Sequence, residues 1–399
     1  MLTQQRPPNL SLNIRRKMGV TQTLILELLV LCGVATGFSL FYLIRLANRF
    51  NLLALSNERT SHVGKVPSIG GLAFFINFLI ACGVSRFFGD WTTGIPLLMG
   101  AIIIVFVGVR DDMYDLSISR KLPLQVIAIL AVLLMSSLKI ESMYGFLYIY
   151  DIPDWIGYPL SLLLVLFFMQ AYNLIDGIDG HAAGIGMVIF GSFSLFFWFI
   201  RDYFFLTLSS VALVGLIVYL WYNFSNIYKI FMGDTGTLLM GYFIGFCTIR
   251  ILSYDPSSLQ MLPFQGHYLP VLLMAILFVP IFDVLRVMII RRKQGKQVFS
   301  PDRNHVHHVL TDAGLSHRRA SFLSSAFSMS FAFIVYLIIQ TNSLILLLLA
   351  GVLFLLFINV ILLRMNRSFG ARRWKVKIRR PVHKYSRTFK AIGLYNFLA

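Results

Sequence analysis

Residues 170–181 read Gln-Ala-Tyr-Asn-Leu-Ile-Asp-Gly-Ile-Asp-Gly-His, after the apolar run 158–169 and before another that begins near Ala182. This stretch decides the fold, because a short turn with two carboxylates joins segments apolar enough to lie in a bilayer. A charge at bilayer depth costs about 2.5–3.5 kcal/mol on insertion scales, so Asp176 and Asp179 have to sit in water, on a cation or against a partner. Asn173, Asp176 and Asp179 are spaced three apart, which stacks them on roughly one face of a helix end. Gly177 and Gly180 leave room for a ligand or a tight turn to approach the backbone.

The rest of the chain has the same character. Apolar residues make up 57% of the 399, charged residues 13%, and the mean hydropathy is +0.76, which excludes a soluble globular protein of this length. The expected fold is an all-α polytopic integral membrane protein with about 20 apolar residues per crossing. Eleven apolar runs read as transmembrane helices: 22–44, 69–88, 94–109, 122–139, 157–173, 182–200, 204–222, 235–253, 268–290, 321–340 and 344–363. The alternation of a strand barrel is absent. Cys32, Cys82 and Cys247 all lie inside apolar runs, so they form no disulfide framework and read as small core residues. The first apolar run is too long for a cleaved leader. Three regions follow: an N-terminal tail 1–21 that reads as disordered, a transmembrane domain 22–363 with catalytic loops, and a basic tail 364–399. Residues 140–156 read as a short strand pair lying on the membrane surface.

The formal net charge is +18, but it is spread over loops between apolar runs. Positive-inside bias and anionic lipid account for it better than nucleic acid does. With eleven spans, the loops 45–68, 110–121, 174–181, 223–234, 291–320 and the tail hold 26 of the 35 Lys and Arg, which makes that side cytoplasmic. Arg6, Arg15, Arg16 and Lys17 then lie outside, against the rule. The basic tail reads as an anchor to membrane lipid headgroups, worth about 1 kcal/mol per residue near an anionic surface. Asp111, Asp112, Asp115, Asp176, Asp179 and Asp234 fall on the basic side, as do His62, His181, His305, His307, His308 and His317. Such clustering suits an active site at a membrane rim. A cation-coupled transporter, the rival from another class, would place its ionisable groups near the midplane.

Four loops carry the candidate chemistry. Asn57-Glu-Arg59-Thr-Ser-His62-Val-Gly-Lys65-Val-Pro67-Ser-Ile-Gly70-Gly71 offers basic groups and a helix N-terminus to an anion. In Asp111-Asp112-Met-Tyr-Asp115, followed by Arg120-Lys121, adjacent carboxylates repel. One is expected to keep a raised pKa unless a cation or Lys121 neutralises it, which suits a general base or a metal ligand. Phe231-Met-Gly233-Asp234-Thr235-Gly236-Thr237 opens a helix, so Asp234 is an N-cap or a metal ligand. Asp234 and Asn173 make an all-oxygen pair that suits Mg²⁺ or Mn²⁺, and no Cys/His spacing for zinc exists. Ser300-Pro-Asp302-Arg303-Asn304-His305-Val306-His307-His308 reads as donors to a diphosphate or nucleotide. Neither Gly64-Lys65 nor Gly295-Lys296 completes a Walker P-loop.

Taken together and in order over about 50 to 320, these loops resemble the polyprenyl-phosphate N-acetylhexosamine-1-phosphate transferases. The Asp-Asp-x-x-Asp, Asn-x-x-Asp-Gly-x-Asp-Gly and Gly-Asp-x-Gly elements are specific as a set and weak singly. The histidine loop is closer to the GlcNAc-1-phosphate branch than to the phospho-MurNAc-pentapeptide branch, the alternative within the family. His181 departs from the pattern, since many relatives carry an apolar residue there. The resemblance implies that undecaprenyl phosphate attacks a UDP-N-acetylhexosamine at the inner leaflet of the cell inner (cytoplasmic) membrane, releasing UMP. It assigns Mg²⁺ to Asn173 and Asp234, the base or lipid-phosphate orienter to Asp111 with Asp112 in support, and phosphate contact to Lys121. Asp176 and Asp179 would organise the uridine or metal shell. Arg303, His305, His307 and His308 would bind diphosphate or sugar, with His62 as a further substrate contact. The hexosamine, the polymer it starts and the oligomeric state stay open, a homodimer included.

Overall fold

Apolar segments in hydrocarbon must satisfy their backbone groups internally, and only helices do so one segment at a time. The computed structural model of the chain describes residues 9–50, 66–85, 91–114, 116–295 and 305–343, with scattered positions up to 356. Within these it runs α1 Asn9–Phe50, α2 Gly71–Ser85, α3 Trp91–Tyr114, α4 Ile118–Ser136, α5 Asp154–Ile175, α6 His181–Ile200, α7 Tyr203–Asn223, α8 Gly233–Ile251, α9 Leu269–Ile276, α10 Phe278–Lys293, α11 Val306–Asp312 and α12 His317–Ile339. Local chemistry sets several starts. Asp202 accepts from the Phe205 amide at the head of α7, and Ser316 accepts from the Arg319 amide at the head of α12.

The protein is a polytopic, all-helical membrane protein, but eleven full spans are not what the helices give. Among the described residues seven helices are long and apolar enough to cross a membrane, or eight if the bent α9–α10 pair is one span. The shortfall has physical causes. α2 has only 15 residues, α8 carries Asp234, Arg250 and several glycines, and the run 344–363 lies largely outside the described residues. Of the tail 1–21 expected to be disordered, residues 9–21 belong to α1, and residues 1–8 lie outside the described residues. In place of a strand pair at 140–156 there is one isolated antiparallel bridge, Ser142 to Asp151, around a 3₁₀ turn at Phe146–Tyr148. The basic tail 364–399 lies outside the described residues.

α8 is the hub. It is buried along nearly its whole length and packs against α5, α3 and α2. Hydrocarbon gives little drive for apolar side chains to associate, so small residues that let backbones approach matter more. Gly71 of α2 lies directly on the backbone of Gly236, and Gly108 of α3 on that of Thr235. A Cβ at Gly108 would sit 2.8 Å from the Thr235 nitrogen. Because the obstacle is backbone, Gly108→Ala is expected to destabilise the bundle by about 1–3 kcal/mol, as overpacking does. Thermal unfolding in detergent reads this, and an unchanged midpoint would show that α3 and α8 can part freely.

The two connections 176–180 and 224–232 meet at one end of the bundle. The Gly180 amide donates to Asn223 Oδ1 at 2.7 Å, and Lys229 Nζ lies 2.6 Å from Asp179 Oδ2.

Candidate active site

The close approach of α3 to α8 places Asp112 over the start of α8. Asp112 lies four residues beyond Gly108, on the same helix face. Its carboxylate accepts from the Asp234 amide at 2.7 Å, the Thr235 amide at 3.0 Å and the Thr235 hydroxyl at 2.6 Å. A helix begins with amides that lack intrahelical partners and carry partial positive charge, so a carboxylate from a neighbouring helix satisfies both needs. Gly233 enters this turn at φ 69, a conformation glycine adopts without penalty. A side chain there would also strike the Ser68 carbonyl and Asp112.

With its helix start held in this way, Asp234 meets three other polar groups. Asn173 Nδ2 donates to Asp234 Oδ1 at 2.9 Å and to the Thr237 hydroxyl at 2.8 Å. Lys121, in the first turn of α4, places its Nζ 3.5 Å from Asp234 Oδ2 and 2.5 Å from Asp111 Oδ2. The other Asp111 oxygen accepts from the Leu116 amide at 2.8 Å. Lys121 therefore bridges α3's terminal carboxylate to α8's, and Asp111 is committed to holding it. Both the sequence-based proximity of Lys121 to Asp111 and the convergence of Asn173 with Asp234 are seen.

The Asp-Gly turn lies beside this group. Burial, together with the nearby carboxylates of Asp234, Asp179 and Asp112, pushes the Asp176 carboxyl up to about 7. Asp179 has its own partners. It pairs with Lys229, lies 3.4 Å from His317 Nδ1, and accepts from the Ser321 hydroxyl at its backbone carbonyl at 2.5 Å. It ties α12 to the turn.

The histidines close the site. Gly177 has no side chain, and His307 fills the space a Cβ would need. His307 packs 5.5 Å from His181, 5.7 Å from His305 with parallel rings, and 4.3 Å from His308. Burial and these neighbouring imidazoles hold His307 well below the usual histidine range, so it is neutral at pH 7. Among the described residues nothing hydrogen-bonds the buried Nδ1 of His307 or Nδ1 of His181, a costly state that a polar ligand would relieve.

Most of the expected site residues come together: Asp111, Asp112, Lys121, Asn173, Asp176, Asp179, Asp234, His305, His307 and His308. His62 and Arg303 lie outside the described residues. The expectation that the Gly70-Gly71 helix start binds an anion is corrected. Those two amides donate to the carbonyls of Phe231 at 3.0 Å and Met232 at 2.9 Å, pinning the loop ahead of α8. Residues the motifs did not single out include Thr235, Thr237, Lys229, Asn223 and Asp283. Thr235 and Thr237 stood inside a quoted motif, whereas Lys229, Asn223 and Asp283 are single polar residues among apolar ones.

The donor set fits a hard divalent cation. Asn173 and Asp234 bring oxygen-bearing side chains together, and Asp176, raised first by burial and then by the neighbouring carboxylates, adds negative charge that a cation would offset. Among the described residues no three or more His, Cys, Asp or Glu side chains converge to hold a metal ion. Mg²⁺ commonly takes only one or two protein ligands and completes its shell from phosphates and water.

Comparison with known proteins accords with this arrangement. The family model described as glycosyl transferase family 4 matches residues 95–252. The chain is 32% identical over 283 residues to a probable undecaprenyl-phosphate N-acetylglucosaminyl 1-phosphate transferase of Bacillus subtilis (strain 168), covering 69% of this chain and 74% of that one. The chain belongs to glycosyl transferase family 4. Undecaprenyl-phosphate alpha-N-acetylglucosaminyl 1-phosphate transferases of Yersinia pestis and Escherichia coli (strain K12) are 30% and 28% identical, with 75% and 72% of this chain and 80% and 77% of theirs aligned. The segment matched to glycosyl transferase family 4 contains every carboxylate from Asp111 to Asp234, while the histidine loop lies beyond it.

Proposed function

We propose that this membrane enzyme transfers N-acetylglucosamine 1-phosphate from UDP-GlcNAc to undecaprenyl phosphate, releasing UMP and starting a lipid-linked envelope glycan. The observation that carries this is the meeting of Asp111, Lys121, Asn173 and Asp234 at the ends of α3, α4, α5 and α8, in a chain whose relatives bear that activity in their names. The excess of Lys and Arg in the loops at this end supports a cytoplasmic placement at the inner membrane.

The reaction joins two anions. An oxygen of the lipid phosphate attacks the sugar-side phosphorus, and the bond to the bridging oxygen breaks as UMP departs. A phosphate monoester's second ionisation lies near pH 6, so the nucleophile is already anionic at neutral pH and needs no strong base. That agrees with Asp111, whose oxygens are engaged with Lys121 and the Leu116 amide. Lys121 is then the cation that draws the lipid phosphate toward the donor and offsets its charge. Asn173 and Asp234 would hold Mg²⁺ or Mn²⁺, which when bound supplies a Lewis acid for the diphosphate. Asp112 keeps Asp234 in place, and Asp176 and Asp179 shape the turn against which the nucleotide sugar would lie. The imidazoles of His305, His307 and His308, with Arg303 and His62 from the loops, would contact diphosphate or sugar. The tail's basic residues suit anionic lipid.

Purified protein with labelled UDP-GlcNAc is expected to release UMP only when undecaprenyl phosphate and Mg²⁺ are both present, and chelator should stop it. Release from UDP-MurNAc-pentapeptide instead would assign the sibling reaction. Release from neither would remove the enzymatic reading.

A further inference from the structure

Asp283 lies inside α10, in the run 268–290 that reads from the sequence as a span, and its side chain is 1% exposed. A carboxylate so buried costs several kcal/mol unless both oxygens find partners. Here both do, and both partners lie at the entrance to α11. Oδ1 accepts from the Val306 amide at 2.8 Å, and Oδ2 lies 2.8 Å from His305 Nδ1. The bend of 64° between α9 and α10, at Leu277, sets the direction of the helix that carries it.

We propose that Asp283 is a positioning residue that fixes the ring orientation and tautomer of His305 for the nucleotide sugar. The inference rests on the reaction proposed above. A carboxylate accepts hydrogen bonds and donates none, so the hydrogen at this contact belongs to Nδ1. Nε2 is then the ring nitrogen left for the ligand. The ring is held from a second side by its parallel stack on His307, which in turn lies against Gly177 in the Asp-Gly turn. Asp283 thus connects the inside of a membrane helix to the imidazoles beside Asp176. A role confined to starting α11 would need only Oδ1.

Asp283→Asn separates the two roles. Its amide oxygen still accepts from the Val306 amide, while its NH₂ donates to Nδ1 and forces the hydrogen to Nε2. In ¹⁵N-histidine-labelled protein, the ring resonance that disappears in His305→Gln is expected to show an Nδ1–H tautomer in the wild type and Nε2–H in Asp283→Asn. Turnover in Asp283→Asn is expected to fall roughly 10–100-fold, the range seen when an orienting partner of a functional histidine is lost. The double variant Asp283→Asn/His305→Gln should fall no further than the worse single one, because the two residues act as a unit. Thermal midpoints within a few degrees of wild type would exclude unfolding as the cause. If Asp283→Asn unfolds, Asp283→Glu takes its place, with the tautomer kept and turnover partly retained. An unchanged tautomer in Asp283→Asn, or losses that add in the double variant, would overturn the proposal. A wild type with the Nδ1–H tautomer that releases no UMP would count against the reaction alone, and one with Nε2–H against the Asp283 pairing alone.

Discussion

Asp234→Ala is expected to lower UMP release by about 10²–10³-fold, the range for removing a principal electrostatic stabiliser. The variant should still insert and fold. Asp234 is a partly exposed side chain at a helix start, and α8's first amides are held by Asp112 rather than by Asp234 itself. Its loss removes the acceptor for Asn173 and one of the two carboxylates around Lys121. Wild-type migration in detergent with turnover lowered to that extent is the expected pair of results. Turnover within tenfold of wild type would take the divalent cation away from this residue. The same measurement on Asn173→Ala should also show a collapse of activity, since the two side chains converge.

Asp112→Ala should cost both stability and rate, through geometry alone. Three hydrogen bonds disappear, leaving two backbone amides and the Thr235 hydroxyl unsatisfied at a packed helix end. Loss of a strong cap costs up to about 2 kcal/mol, which a thermal melt resolves. The larger effect falls on turnover, because a displacement of about 1 Å in a positioned group can cost about 10²-fold. Asp112→Asn keeps one acceptor and should fall between. An Asp112→Ala protein with wild-type kcat and a lowered midpoint would show that α8's start does not set the position of Asp234.

How far the sequence carried this picture depends on the kind of residue. The carboxylate motifs were legible because charge between apolar segments is expensive and therefore conspicuous, and Asp234, Asn173 and Lys121 do converge. Asp112 was visible as a residue but not as a cap, since its partners lie more than 120 positions away. Asp283 is a lone acid in an apolar run, and that gives no sign that His305 will meet it. The helix count went astray where apolar length is a poor guide: α8 spans little by hydropathy because it is enclosed by protein on nearly all sides, so glycine, threonine and charge are tolerated. The 140–156 segment was misjudged for a related reason. Tyrosines and prolines suggest extended chain, but positive φ at Tyr144, Leu147 and Tyr148 bends it into a turn.

The ties from the C-terminal third have a temporal consequence. Ribosomes deliver the amino-terminal part first, so every carboxylate from Asp111 to Asp234 is in place before the segment that carries Asp283, His305, His307 and Ser321 exists. A nascent chain halted near residue 250 would already hold the crowded acids but neither the imidazole stack nor the Ser321 bond to Asp179. Competence for turnover therefore has to wait for the end of synthesis, when the helices that carry these groups emerge.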